Sequence, residues 1–396
     1  MNSENALRHA SIDTATQAAK PHKWSLLSPR TDPDTRDERV PSSANSLNAM
    51  RLAFALAVVI SHVPIVRGMH AIFIGDLEIG GWAVAGFFVI SGWLVTQSRL
   101  RLSFWNFLWR RCLRIFPGFW ACLIATAFIA APIAALAGPG HWRLVAALRY
   151  VSRDIALHVF QPGIGTTLQG VPDPSTWNLS LWTLPYEFAC YLGVGLLLTF
   201  TVARRRPSVV VVAFVVVTVV QAALIIDGTN RATTLQLSFR LATFFLAGAL
   251  LARCQRIRLT GFGALLSLAV LVVVTAFDDV RMLAALPVAY LCMWLGRVLP
   301  LRSVGRTNDV SYGVYVYAWP IQQLLMFTVV ARWQAVWFGV ISTAITLPVA
   351  FLSWRFVEHP ALRLKTLRQP SRTLEATAAP QPEKSFAASE GSPEPE

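Results

Sequence analysis

The sequence predicts an all-α integral membrane protein, a bundle of about ten transmembrane helices with disordered polar termini. Three observations carry that reading. First, of 396 residues, 55% are hydrophobic and only 14% are charged, whereas soluble domains carry about 25% charged residues. Second, apolar runs recur along the chain at close to the ~20 residues that a bilayer core demands, and the mean hydropathy is +0.51. Third, no run shows the alternating ten-residue pattern of a barrel strand, and an open sheet cannot satisfy its backbone in lipid.

The elements follow in order. Residues 1–46 are polar, with charges of both signs and nothing to bury, which predicts a disordered cytoplasmic tail rather than a signal peptide or a span. The membrane domain is expected over 47–362, and a second disordered cytoplasmic tail, rich in Pro, Ser, Glu and Ala, over 363–396. Hydropathy places spans near 47–67, 81–98, 115–137, 178–201, 207–226, 237–252, 260–277, 282–298, 310–330 and 334–355. The span at 237–252 is short. The stretch 138–177 contains "LVAALRYVSRDIALHVF" (144–160), an interfacial or re-entrant helix.

The net charge of +14 would suggest nucleic acid in a soluble protein. Here the basic residues crowd into connections: "RLRLSFWNFLWRRCLR" (99–114), "ARRR" (203–206), "RCQRIR" (253–258), "GRVLPLRSVGR" (296–306) and "RFVEHPALRLKTLR" (355–368). They alternate with less basic connections such as "IIDGTNRATT" (225–234) and "FDDVR" (277–281). The positive-inside rule then puts the basic connections and both termini in the cytoplasm of a multi-pass inner-membrane protein, and no nucleic-acid partner is expected. The five cysteines sit outside exterior loops, so no disulfide framework is implied, and no CxxC or His cluster suggests a metal. No internal repeat is visible, which weakens an inverted-repeat transporter.

Ionisable residues inside apolar segments mark functional sites by default. In "RLAFALAVVISHV" (51–63), Arg51 and His62 are eleven residues apart. At 100° per residue that is three turns plus about 20°, so they share one helix face roughly 16 Å apart along the axis. Such a face resembles a reaction tunnel. The structural reading is that Arg51 snorkels and His62 bonds a neighbouring helix. "VAGFFVISGWLV" (84–95) offers Gly86, Ser91 and Gly92, small residues that suit close helix packing. In "FLWRRCLRIFP" (107–117), Arg110, Arg111 and Arg114 precede a span. They either anchor it at the headgroups or form a phosphate site at a helix N-terminus.

"NLSLWTLPYEFACYL" (178–192) puts Glu187 five residues beyond Trp182. A carboxylate there is costly and cannot snorkel as Lys or Arg can, Pro185 frees a nearby carbonyl, and Trp177 and Trp182 suit an interface belt. "DVSYGVYVYAWPIQQLL" (309–325) brings Tyr315, Gln322 and Gln323 into one span. Two adjacent amides in lipid need partners or a polar cavity.

Together, Arg-x10-His, "FFVISG", "RRxxRIxP", "LWTLPYE" and "SYGVYVYAWP" resemble the membrane acyltransferase family 3, over about residues 46–362. The resemblance implies a ten-helix bundle that acylates hydroxyls of cell-surface or exported carbohydrates, such as lipopolysaccharide or exopolysaccharide. The donor implied is cytoplasmic acetyl-CoA. Polysaccharide-assembly proteins are possible partners, and the acceptor is a carbohydrate or glycolipid. Many members carry an Asp where Ala85 stands and a His where Ala318 stands, which points to a branch in which Gln322 or Gln323 fills the latter space. Some add a C-terminal SGNH esterase-like domain. The short tail here holds none, so acylation is expected to finish in the membrane domain or on a partner.

The resemblance assigns His62 as the essential histidine with Arg51 as its partner. A neutral imidazole can take a proton from an incoming hydroxyl, or carry the acyl group transiently. Glu187 would orient His62 or hold the acceptor. Arg110, Arg111 and Arg114 would bind the donor's phosphates, and Tyr315, Gln322, Gln323 and Trp182 the substrate. His141, Trp142, His158 and Trp177 of the exterior stretch are further acceptor candidates. A transporter or flippase of a sugar-linked lipid would use the same intramembrane charges without coenzyme A, and a scaffold would tolerate loss of His62 and Glu187.

Overall fold

A computed structural model describes residues 46–226, 234–254, 257–276 and 283–367. The predicted tails, but for a few residues at their inner edges, lie outside the described residues. So do the connection read at 277–281 and parts of those read at 225–234 and 253–258.

A helix occupies each stretch that hydropathy picked out. The long ones are α1 Leu47–Val66, α2 Ile79–Arg101 and α3 Phe104–Ala125. A π turn at Thr126–Ala130 carries α3 on into α4 Ala131–Ala137. Next come α5 Leu144–Asp154, α6 Leu184–Leu197, α7 Thr201–Arg205 and α8 Ser208–Ile226. The last are α9 Thr234–Arg253, α10 Gly261–Ala276, α11 Ala285–Val298, α12 Ser311–Leu325, α13 Ala335–Ser353 and α14 His359–Arg363. Among the described residues, six helical stretches are long and apolar enough to cross a bilayer. The helices at 261–276 and 285–298 are apolar but shorter. The only strands among these residues are the two-residue β1 Phe73–Ile74 and β2 Leu77–Glu78, a hairpin between α1 and α2.

Two boundaries differ most from the sequence reading. The helix read at 237–252 is not short, since α9 runs 20 residues. The helix read from 115 begins at Phe104, and the connection from α2 is two residues long. Pro117 is thus inside α3 rather than at its start, as lipid-embedded helices tolerate. Pro185, in contrast, sits in the first turn of α6, where its missing N–H breaks no helical bond.

The core is built around α2, which packs on α1, α6, α9 and α11. A Cβ on Gly92 would overlap the Phe245 carbonyl of α9, and one on Gly248 the Val89 carbonyl of α2. The two backbones therefore touch at this crossing. α1 and α2 run antiparallel: Gly80 faces Ser61 and Gly86 faces the Phe54 ring. α1 and α12 run parallel, joined from end to end by Asn48–Gly305, Arg51–Asp309, Val59–Gln322 and His62–Trp319.

The segment between α4 and α6 caps the His62 end of these helices. Its α5 buries Ala147, Tyr150 and Asp154 and exposes Leu144, Val145 and Leu148, as an interfacial helix does. The π turn in α3 gives its Ala127 carbonyl to the Trp142 indole at 2.9 Å. Asn178 donates to Tyr150 Oη at 2.5 Å and to Thr126 Oγ1 at 3.1 Å. Trp177 is fully buried and donates to Thr167 Oγ1, so it is a core residue of this cap and not a member of an interface belt.

Candidate active site

A cavity of about 160 Å³ lies where α1, α2, α3, α6 and α12 converge. Its polar half is formed by Arg51, Arg111, Arg114, Asp309 and Glu187. Its other half is lined by Val84, Phe87, Phe88, Ile115, Leu184 and Tyr315.

The polar half is organised around one carboxylate. Arg51 Nη1 and Arg114 Nη2 both donate to Asp309 Oδ2 at 2.6 Å. Ser311 Oγ donates to Asp309 Oδ1 at 2.6 Å. Asp309 lies just ahead of α12, outside the spanning segments. Burial pushes its carboxyl up, but the guanidiniums of Arg114 and Arg51 outweigh that and, with Ser311, hold it well below the usual carboxylate range. Glu187 Oε1 accepts from Ser91 Oγ at 2.8 Å and Tyr191 Oη at 2.5 Å. Glu187 and Tyr191 are one turn apart on α6, the spacing at which helical side chains meet. Arg111 lies over the Tyr191 ring, 5.8 Å from its centroid, and gives a weak bond to Ser98 Oγ at 3.3 Å. Its buried Nε has no hydrogen-bond partner among the described residues.

Three guanidiniums against two carboxylates leave the wall one positive charge in excess. With an Arg111 N–H still unpaired, the residues present suit an anionic ligand able to accept forked hydrogen bonds. Arg111 and Arg114 act from the second and third turns of α3, which starts at Phe104. They do not stand at the N-terminus of that helix, so its dipole does not add to their charge as the sequence suggested.

The structure thus gathers Arg51, Arg111, Arg114, Glu187 and Tyr315 around one space and leaves the other sequence candidates outside its lining. Arg110 is half-buried on α3 and does not line the cavity. Trp182 packs edge-on against Tyr186, centroids 5.9 Å apart. His62 is buried farther along α1, edge-on to Trp319 with centroids 5.0 Å apart. Its Nδ1 has no hydrogen-bond partner among the described residues. Glu187 does not orient it, because the hydrogen bonds of Glu187 go to α2 and within α6.

The two glutamines are partnered on one side only. Gln322 Nε2 donates to the Val59 carbonyl at 2.8 Å, and Gln323 Nε2 to the carbonyls of Asp173 and Thr176 at 2.9 and 3.0 Å. The buried Oε1 of each is without a partner among the described residues. Gln322 therefore ties α12 to the helix of His62, and Gln323 ties it to the cap. The sequence reading passed over Asp309, Tyr191 and Thr183. Asp309 stood in a quoted motif, and an acid directly before a span, in a chain with an arginine-rich motif, was the available signal.

Comparison with known proteins shows the family. A family profile described as an acyltransferase domain matches residues 44–355. The chain is 28% identical over 366 residues to an O-acetyl transferase of Shigella phage Sf6, covering 84% of this chain and 99% of that one. It is also 28% identical over 369 residues to nodulation protein 10 of Rhizobium leguminosarum bv. viciae, covering 83% and 96% respectively. No solved structure matches. The profile match takes in the cavity, both arginine motifs and His62, and on that extent the chain belongs to the membrane acyltransferase family 3, enzymes that transfer acyl groups other than amino-acyl groups.

Proposed function

We propose that this protein is an O-acetyltransferase of the inner membrane that moves an acetyl group from cytoplasmic acetyl-CoA to a hydroxyl of a cell-surface or exported carbohydrate. The observation that carries this reading is the cavity with one excess positive charge and an unpaired Arg111 N–H. A donor bearing several phosphates supplies the anion that such a wall favours. The name of the Shigella phage relative supports acetyl as the group and oxygen as its destination. Arg51, Arg111 and Arg114 hold the donor's phosphates or steady the thioester oxygen. Glu187, fixed by Ser91 and Tyr191, keeps its second oxygen for a hydroxyl or amide of a substrate. His62, with an uncommitted Nδ1, takes the proton from the incoming hydroxyl.

The test is release of coenzyme A from acetyl-CoA by purified protein, with mass spectrometry of surface carbohydrate from cells carrying wild type, a deletion and His62→Ala. A gain of one acetyl mass with wild type alone is expected, and removal of a general base should cost about 10²–10⁴ in rate. Arg111→Ala should raise the KM for acetyl-CoA. His62→Ala also removes a buried ring packed on Trp319, so a lowered unfolding temperature is expected with the protein still folded and still holding coenzyme A. Acetyl-CoA turnover that survives in His62→Ala would sink the assignment of the base. Unmodified carbohydrate with wild type would sink the acceptor class.

A further inference from the structure

The donor cavity and His62 do not meet, and the length of the gap can be read from two neighbouring helices. The Gly80–Ser61 and Gly86–Phe54 contacts fix the antiparallel register of α1 and α2. In that register Phe87 is level with Ala53 and Phe54, and Val84 is level with Leu56 and Ala57. Val84 is the α2 lining residue nearest the His62 end. The parallel contacts between α1 and α12 put Tyr315, the last α12 lining residue, near Leu56 as well. Two helices thus end the cavity at the same depth. His62 lies five or six residues farther along α1, or ~8 Å at 1.5 Å per residue.

What closes that end is a chain of rings. The Phe54 and Phe87 centroids are 5.9 Å apart at 63°, and those of Phe87 and Tyr315 are 5.8 Å apart at 65°. Both are edge-to-face arrangements, the geometry that aromatic pairs prefer. Tyr315 is held from the far side by a 2.6 Å hydrogen bond between its hydroxyl and Thr183 Oγ1. One turn beyond it stands Trp319, fully buried against His62. A group entering along the arginines passes Tyr312, Ile115 and Phe88 and reaches Phe87 and Tyr315 at the far end. On the donor reading above, on which this inference rests, that group is the acyl end of the thioester.

We propose that Phe87 and Tyr315 form a partition that ends the donor cavity, sets the length of acyl chain the protein accepts and turns aside to let a short acyl group reach His62. The cavity of about 160 Å³ narrows at this end to an apolar wall of Val84, Phe87, Phe88, Leu184 and Tyr315. An apolar end closed by packed rings admits a short acyl group and penalises each added methylene. One methylene misfitted in an apolar pocket changes discrimination by about 10–200-fold.

The experiment is a series of acetyl-, propionyl-, butyryl- and hexanoyl-CoA, scored as kcat/KM for purified wild type, Phe87→Ala, Phe87→Leu and Phe214→Ala. Phe214 is buried on α8 outside the cavity, so its truncation loosens the bundle without touching the partition. Wild type should fall at least ~10-fold between acetyl and butyryl. Phe87→Ala should raise the butyryl-to-acetyl ratio by at least ~10-fold, Phe87→Leu by less, and Phe214→Ala not at all. A rise in unfolding temperature with added coenzyme A in each variant shows that it is folded and holds the donor. Thr183→Ala, which frees the Tyr315 hydroxyl, should shift the ratio in the same direction as Phe87→Ala. Equal use of acetyl and hexanoyl groups by wild type would overturn the partition, as would an equal shift in Phe214→Ala. Wild-type protein that turns over no acyl-CoA of any length would overturn the donor reading itself.

Discussion

Asp309 is the residue on which the cavity depends, because two arginines from helices far apart in sequence share one of its oxygens. Removing one partner from a mostly buried ion cluster leaves unpaired charge and typically costs about 3–5 kcal/mol. Asp309→Asn should accordingly lower the unfolding temperature and abolish donor binding, as followed by thermal unfolding in detergent with and without coenzyme A. The pH dependence has a definite sign. The folded carboxyl sits below its ordinary value near 4. Its contribution is therefore complete above that value and is lost only as pH falls through the lower folded one. In a Glu358→Gln background, which removes the other carboxylate coupled to Arg114 and Asp309, the stability gap between Asp309 and Asp309→Asn proteins should stay flat from about pH 9 to about pH 5 and close only in stronger acid. A gap that halves between about pH 7 and about pH 5 would mean that another group carries the charge balance.

At the scale of elements, the small residues of the second span divide by what they face. Gly92 meets the backbone of α9, Gly86 meets the Phe54 ring, and Ser91 turns to Glu187 on the cavity wall. Gly92→Ala and Gly248→Ala push a methyl into a carbonyl that cannot move aside, an overpacking that costs about 1–3 kcal/mol or more. In contrast, a Cβ on Gly193, within α6, meets nothing within 4 Å. Gly193→Ala should stabilise by up to about 1 kcal/mol through helix propensity. Opposite shifts in unfolding temperature are expected, and equal shifts would show that the α2–α9 contact is not tight. The elements themselves were legible because hydropathy in lipid is a strong, local signal. A helix fills each apolar stretch, and the spacing of Arg51 and His62 did put both on α1. What was not legible was which side chain meets which across the bundle. Arg51 and Asp309 are 258 residues apart, and no periodicity encodes that pairing. The same limit hid the break between His62 and the cavity, since it arises from rings that three different helices contribute. Trp177 was misread for a related reason. An aromatic beside a span suggests an interface, but here a folded cap, with Thr167 as partner, encloses it.

On the scale of the whole molecule, hydrogen bonds between distant connections reveal a two-ended charge distribution. Arg204 donates to the Leu100 carbonyl, Arg253 to that of Arg204, and Asn48 to that of Gly305. The Trp109 indole donates to the Leu364 carbonyl. The connections after α2, α6, α9 and α11 therefore gather at the end that holds Arg51, and the first and last described helices begin and finish there. At the other end, the cap over α12 is held by Trp319 and Gln323. Basic residues concentrate on the cytoplasmic side of membrane proteins because short arginine-rich connections resist translocation. That bias predicts a single sidedness. Fluorescent-protein fusions at residue 1 and residue 396 should both fluoresce in the cytoplasm. A cysteine introduced at Gln169, exposed and polar in the cap, should label from outside the inner membrane with an impermeant maleimide. Labelling at Gln169 only after the membrane is permeabilised, with both fusions dark, would invert the molecule and place the arginine cavity on the face away from coenzyme A. The fold would survive that result, but the donor could not reach its site, so this one measurement binds the charge distribution of the whole chain to the chemistry assigned to a few of its residues.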